Sequence, residues 1–207
     1  MNEKKIKNTL IHILAVSWQW FIIPAFFIFI SILLDKKFNL YLPRSHFDIL
    51  FAVSFFCLGL FFTFDSYFTL TRKGNGTMLP THNPTCKLVT EGPYSYCRNP
   101  LYFGYLLLLI GTSIFLHSFF LLVLSSVLVS LFILVYIGIF EEKKLTARFG
   151  EEYLQYRHQT PRMIPLSYGK LNQKGKYKFL HIIFISLLTL FILTQIRALA
   201  IAGILKK

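Results

Sequence analysis

An all-helical, multi-pass membrane protein with about five spans is predicted by three observations: long unbroken apolar runs, a scarcity of charge, and basic residues gathered at the ends of those runs. Of 207 residues, 55% are hydrophobic, 23 are Phe and only 15% are charged, against about 25% charged in an average soluble domain. Five runs, residues 10–34, 47–70, 101–116, 119–140 and 179–204, approach or exceed the ~20 residues that cross a hydrocarbon core.

The run at 10–34 is too long for a signal-peptide core, and no small-residue cleavage site precedes Asp35-Lys36-Lys37, so it reads as a retained span. The run at 47–70 follows. The third run is short and is separated from the fourth by only His117-Ser118, which demands an antiparallel hairpin turning near the far membrane face. The last run closes the chain. No second domain or internal repeat is visible. One membrane domain, 1–207, is expected, with two N-terminal spans (1–70), a core (71–178) containing the hairpin 101–140, and a C-terminal span (179–207).

Five spans place the N-terminus, the 71–100 loop and the 141–178 segment on one face. That face carries 16 Lys and Arg against 6 on the other, so the richer face is expected to be cytoplasmic. The net charge of +13 then reads as juxtamembrane charge facing anionic lipid, which argues against a nucleic-acid partner. Cys57, Cys86 and Cys97 are too few and too widely spaced for a disulfide framework or a zinc site. Cys57 reads as packing, and Cys86 and Cys97 as reduced cytoplasmic thiols, with a nucleophile as the alternative. His82 and His158 read as solvated, and His12, Gln19 and Asp65 as interfacial.

Residues 71–99 hold Gly74, Gly76, Pro80, Pro84, Gly92 and Pro93, and so read as a loop rather than a regular helix. After the fourth run a helix is expected to leave the membrane, with Leu145, Phe149, Tyr153 and Tyr156 on one face, a weak point at Gly150 and a stop at Thr160-Pro161. That helix suits either the bilayer surface or a cover over the loop before span three.

The chemistry concentrates in Gly92-Pro93-Tyr94-Ser95-Tyr96-Cys97-Arg98-Asn99-Pro100-Leu101-Tyr102-Phe103-Gly104. Pro100 suits a first helical position, where free N–H groups and a partial positive charge face the polar side. The hairpin returns Glu141-Glu142 to the level of a water-exposed Arg98, across about forty residues of sequence. Gly104 permits close helix approach. A carboxylate at that level accepts hydrogen bonds from hydroxyls or pairs with an ammonium; the alternative is snorkelling Arg98 and plain solvated acid.

These residues resemble a known family. Leu88-Val89-Thr90-Glu91-Gly92-Pro93-Tyr94 followed by Arg98-Asn99-Pro100-Leu101-Tyr102-Phe103-Gly104, and then Glu141-Glu142 through Phe149-Gly150-Glu151-Glu152-Tyr153 to Pro161-Arg162-Met163-Ile164-Pro165, are similar to the two signature blocks of isoprenylcysteine carboxyl methyltransferase-like membrane proteins. Phospholipid N-methyltransferases belong to the same broader group. The resemblance spans roughly residues 74–166 and implies S-adenosylmethionine as methyl donor. By position it implies a cofactor pocket of Leu88, Val89, Tyr94, Asn99, Pro100, Leu101, Tyr102 and Glu141. Gly92, Gly104 and Glu142 are expected beside that pocket, Arg98 is the candidate catalytic residue because it stands immediately before the Asn99-Pro100 turn, and Arg162 is a candidate for substrate binding.

Two departures bear on the acceptor. Asn99 stands where most prenylcysteine enzymes have His. The residues before the acidic pair, Val135-Tyr136-Ile137-Gly138-Ile139-Phe140, lack the arginine that orients a prenylcysteine carboxylate. The implied reaction is methyl transfer to a lipophilic small molecule or lipid, at the cytoplasmic face of the cell membrane and among membrane lipids. An NADPH-dependent membrane reductase and a non-catalytic scaffold are the alternatives.

Overall fold

The computed structural model describes residues 21–74, 85–163 and 176–201. Among them the chain is helical, with no strand and a single isolated bridge between Tyr41 and Ser118. Helix α1 covers Ile23–Phe38. The part of the first expected span before residue 21 lies outside the described residues. At its other end α1 continues through Asp35-Lys36-Lys37, which the sequence reading left beyond the span. The continuation has a cause: Asp35 is buried and accepts a hydrogen bond from the Phe120 N–H at 3.0 Å and another from the Ser118 hydroxyl. Asn39, at φ +52°, then closes the helix by returning its N–H to the Asp35 carbonyl, a left-handed closure that Asn tolerates.

Helix α2, Asp48–Gly74, is 27 residues long. It corrects the expectation that the loop begins at 71, because Thr71, Arg72, Lys73 and Gly74 continue the helix. Its first residue, Asp48, accepts from the Ser45 N–H at 2.6 Å. After a single helical turn at Pro93–Tyr96, α3 runs from Pro100 to Phe115, with Pro100 as its first residue. At 16 residues it spans ~24 Å, less than the ~30 Å hydrocarbon core.

The predicted hairpin is present. His117 takes φ +53°, the Ser118 N–H reaches the Ser113 carbonyl at 3.0 Å, and the Ser118 hydroxyl caps the next helix by accepting from the Leu121 N–H at 3.1 Å. That helix, α4, covers Phe119–Gln159 and includes two π-helical stretches, Leu124–Val129 and Ile137–Glu141. It breaks at Gly150 (φ +53°, ψ −128°) and stops at Thr160, the two points where the sequence suggested a bend and an end. Helix α5 covers Lys176–Ile201; it takes in the three residues before the run at 179–204, and the last three of that run lie outside the described residues.

Two of these helices, Asp48–Gly74 and Phe119–Gln159, are long and apolar enough to cross a membrane, and Pro100–Phe115 and Ile182–Arg197 are shorter apolar helices. Outward side chains of α1, α2, α4 and α5, including Phe29, Val53, Phe64, Phe132 and Leu193, are apolar and exposed, as a lipid-facing surface requires.

The tightest packing joins α2 to α3. A Cβ built on Gly104 would lie 2.8 Å from the Gly59 carbonyl oxygen and 2.8 Å from the Thr63 nitrogen, and one on Gly59 would lie 2.9 Å from the Gly104 carbonyl oxygen. Two backbones meet at that crossing, as small residues allow in membrane helix pairs. Beside it, Phe62 and Phe103 pack edge to face at 5.0 Å, and Phe184 of α5 meets Phe103 at 5.3 Å. Gly104 therefore faces α2, and its contribution to any pocket is through the placement of α3. Gly104→Ala is expected to destabilise the detergent-solubilised protein by about 1–3 kcal/mol through overpacking, read as a lowered thermal midpoint; an unchanged midpoint would show that the helices separate freely.

Candidate functional site

Adjacent residues on a helix project about 100° apart, and this separates the two acids that the sequence presents as a pair. Both sit where the π-helical stretch Ile137–Glu141 gives way to regular helix, and such wide turns often accompany functional sites. Glu141 turns towards α3, where its Oε1 accepts from the Tyr102 hydroxyl at 2.9 Å. Glu142 turns the other way and is buried. Its Oε1 accepts from Arg98 Nη1 at 2.8 Å and from Arg162 Nε at 2.8 Å, its Oε2 accepts from Arg162 Nη2 at 3.1 Å, and Arg157 Nε lies 3.6 Å from Oε2.

Arg98 was expected to be water-exposed. Its side chain is only 9% exposed, because α4 and the residues after it close over it. Tyr153, itself buried, stands 3.4 Å from Arg98 Nη1. The expectation that Glu142 shares the cofactor pocket with Glu141 meets a carboxylate whose two oxygens are occupied by guanidinium groups. Arg162, expected at the substrate, forms a two-point fork with Glu142, the strongest carboxylate geometry available to arginine.

A strap at 160–163 completes the arrangement. The Arg98 N–H donates to the Pro161 carbonyl at 2.9 Å, and the Asn99 Nδ2 donates to the Arg162 carbonyl at 2.9 Å. Asn99 precedes the first helical residue, a position whose side chain ordinarily caps the helix. Here its amide is committed to the strap, and the first turn of α3 has no side-chain cap. Pro100 has no N–H and the Phe103 N–H donates to the Asn99 carbonyl at 3.2 Å, so the Leu101 and Tyr102 N–H groups are the helix-end donors suited to an anion.

The kink at Gly150 makes the rest possible. Leu134 and Leu154 are twenty positions apart and would lie ~30 Å apart on a straight helix. Instead they line one cleft of about 620 Å³ together with Arg98, Arg157, His158 and Arg162. The segment after the kink folds back over the loop before α3, and the Tyr156 hydroxyl donates to the Tyr94 carbonyl oxygen at 2.6 Å. Leu145 and Phe149, expected on the same face as Tyr153 and Tyr156, are only half-buried, since the kink separates the two pairs.

On the Glu141 side, Tyr94 is buried, and burial, reinforced by the nearby Cys97 and Glu141, pushes its phenol well above the ordinary range. Val89 is buried and Leu88 partly so, while Gly92 adopts φ +63° to start the Pro93 turn. Pro100 and Leu101 are buried at the start of α3. Cys97 is fully buried, and burial pushes its thiol up from the ordinary range, which argues against a nucleophile. Cys86 is exposed. Among the described residues no group of three or more His, Cys, Asp or Glu could hold a metal. His82 lies outside the described residues, and His158, read from sequence as solvated, is exposed and lies on the cleft wall.

Sequence reasoning missed the centrality of Glu142, the part played by Arg157, and the Asn99 contact with the strap. Only the spacing of Arg157 and Arg162 after the acidic pair hinted at any of these.

The fold and site together define a helical membrane protein with a polar constellation at one end of a hairpin. The chain belongs to the phospholipid methyltransferase family, whose model matches residues 47–152. Among its relatives, a protein-S-isoprenylcysteine O-methyltransferase of Schizosaccharomyces pombe is 31% identical over 118 residues, covering 56% of this chain and 48% of that one. A methanethiol S-methyltransferase of Crocosphaera subtropica is 43% identical over 79 residues, 38% of this chain and 29% of that one. The cobalt-zinc-cadmium resistance protein CzcN of Cupriavidus metallidurans is 38% identical over 79 residues, 38% of this chain and 35% of that one. The chain thus spans about half the length, or less, of these relatives. No solved structure matches it.

Proposed function

We propose that this chain transfers a methyl group from S-adenosylmethionine to a lipophilic acceptor at the cytoplasmic face of the cell membrane. The observation that carries the reading is the return of Glu141 onto Tyr102 at 2.9 Å, beside the uncapped start of α3. The names of the relatives support methyl transfer and differ in the acceptor they state.

The residues present fit such a donor. Glu141 offers a carboxylate to ribose hydroxyls or to an ammonium, and its hydrogen bond to Tyr102 orients it. The first-turn N–H groups of α3 suit a carboxylate. Tyr94, Leu88, Val89 and Leu101 offer apolar and aromatic surface to an adenine. When bound, the donor supplies a methyl group made electrophilic by a sulfonium. The chain's task is then mostly to hold and align, because in-line displacement depends on placing the nucleophile at near-attack distance. A carboxylate or thiolate acceptor requires no proton removal, whereas a neutral amine or alcohol requires a base. In this reading Glu142 is a positioning residue: it fixes Arg98 and Arg162, and through them the strap that holds Asn99.

Titrating the purified full chain with S-adenosylhomocysteine and with NADPH tests the assignment. Saturable binding of the former alone is expected; binding of NADPH alone would return the reductase, and binding of neither would leave a scaffold. The five-span topology is tested separately. Cysteines placed at Lys5 and Lys170 are expected to label from the same, cytoplasmic side, and labelling from opposite sides would overturn both the topology and the placement of the site.

A further inference from the structure

The stretch Val135-Tyr136-Ile137-Gly138-Ile139-Phe140 carries one polar group on its side chains, the phenol of Tyr136, and nothing in the donor site so far gives it a task. Regular helical steps of ~100° would set Tyr136 ~140° away from Glu141, five residues on. The π-helical stretch Ile137–Glu141 changes that. The Glu142 N–H donates to the Ile137 carbonyl, five residues back, where a regular helix closes over four. The wider turn carries Tyr136 round towards the face of Glu141. The two side chains act on one another electrostatically, and Tyr136 acts on Tyr102 as well. Tyr102 in turn donates to Glu141 Oε1 at 2.9 Å.

Tyr94, on the Pro93 turn, completes the group, since it acts on both Glu141 and Tyr102. Phenol rings from three segments thus gather about one carboxylate. Tyr136 is the member on the lipid side: it is partly buried between the exposed Val135, Ile139 and Phe140, and its ring lies against that of Phe140 at 5.6 Å. The balance of charge here is unlike that at the neighbouring acid. Glu142 meets three arginines, whereas Glu141 forms no salt bridge among the described residues. The cation that acts on Glu141, Lys144, is exposed. Electron-rich aromatic rings about a carboxylate suit a positively charged ligand group, as in the aromatic cages that recognise onium ions.

We propose that Tyr136 is a further donor-binding residue, which with Tyr94 and Tyr102 forms a cage for the positively charged sulfonium of the methyl donor beside Glu141. The proposal rests on the methyl-transfer reading and adds to it a preference for the charged donor over its neutral product. As the bond from acceptor to carbon forms, the bond from sulfur to carbon breaks and its electron pair stays on sulfur. The cage therefore loses its cation as the methyl leaves, and the spent donor is held only by the contacts it shares with the fresh one. A tyrosine that merely marks the membrane boundary, with one apolar end and one wet end, makes no such distinction.

Two donor analogues separate these roles. S-adenosylhomocysteine has a neutral sulfur at the reacting centre, and sinefungin carries an ammonium where the donor carries its transferable methyl. Both are titrated calorimetrically into the purified full chain in a neutral maltoside detergent. Sinefungin is expected to bind at least about fivefold more tightly. Tyr136→Leu is expected to weaken sinefungin about fivefold and to leave S-adenosylhomocysteine within about twofold of its original affinity. Tyr136→Phe keeps the ring and is expected to keep the preference within about twofold. Tyr136→Met replaces Tyr136→Leu in the comparison should the latter not fold, as judged by its thermal midpoint.

Equal affinities of the two analogues for the original chain, or an unchanged preference in Tyr136→Leu, would overturn the cage. Equal losses of both analogues in Tyr136→Leu would assign the ring to the adenine or amino-acid part that they share, and would overturn its role at the sulfonium. Loss of the preference in Tyr136→Phe would transfer that role from the ring to the hydroxyl and overturn the cage likewise. If S-adenosylhomocysteine binds and the preference is absent, the methyl-transfer reading stands without the cage. If neither analogue binds, that reading falls and the cage falls with it.

Discussion

Replacing Glu142 by Gln is expected to cost about 3 kcal/mol of stability, the largest loss from any single polar substitution at this site. The carboxylate is buried and receives Arg98 and Arg162 at hydrogen-bond distance, with Arg157 at ion-pair distance. Removing one partner of a buried pair leaves an uncompensated charge and typically costs 3–5 kcal/mol. The lower end applies here, because Arg157 and Arg162 are 46% and 36% exposed and regain water, while Arg98 at 9% does not. The measurement is a thermal or denaturant midpoint in detergent. Combining Glu142→Gln with Arg98→Met removes the stranded charge, so the double variant is expected to lose at least about 1 kcal/mol less than the sum of the single losses. A single variant as stable as the original would mean that the arginines are held by something other than Glu142.

Glu141→Gln is expected to leave the fold intact and to weaken S-adenosylhomocysteine binding by about 1–3 kcal/mol, or roughly 5- to 150-fold in dissociation constant. Among the described residues Glu141 has one hydrogen-bond partner where Glu142 meets three arginines: its Oε1 accepts from Tyr102. Losing its charge removes a charge-assisted bond to a ligand hydroxyl or ammonium without stranding a buried cation. Tyr102→Phe is expected to produce a smaller loss of about 1 kcal/mol, since it removes only the bond that orients the carboxylate. The two acids are thereby distinguished by opposite patterns, Glu142 in stability and Glu141 in affinity. Unaltered affinity in a folded Glu141→Gln protein would remove Glu141 from the cofactor, and with it the observation on which the functional reading rests.

The apolar runs, the Pro100 helix start, the His117-Ser118 turn, the bend at Gly150 and the stop at Thr160 were all legible in the amino-acid sequence. Each depends on properties local to a few residues: burial of an unbroken apolar stretch, a missing N–H, a chain reversal, a permitted positive φ. So did the meeting of the 98–104 turn with residues 141–142, because a tight hairpin of two helices leaves no other level for them to reach. The signature residues around these points were enough to suggest the family.

The tertiary structure decided what those residues do to one another. Composition marks Arg98 as a cation at a helix threshold, and its burial follows only once the kink has brought Tyr153 and the strap over it. Asp35 looks like the end of a span until the hairpin tip arrives with the Ser118 hydroxyl and the Phe120 N–H to satisfy it inside the helix. Glu141 and Glu142 are identical in type and adjacent in sequence. One faces Tyr102 and the other three arginines, because a helical step of ~100° sends neighbouring side chains into environments assembled from segments tens of residues away.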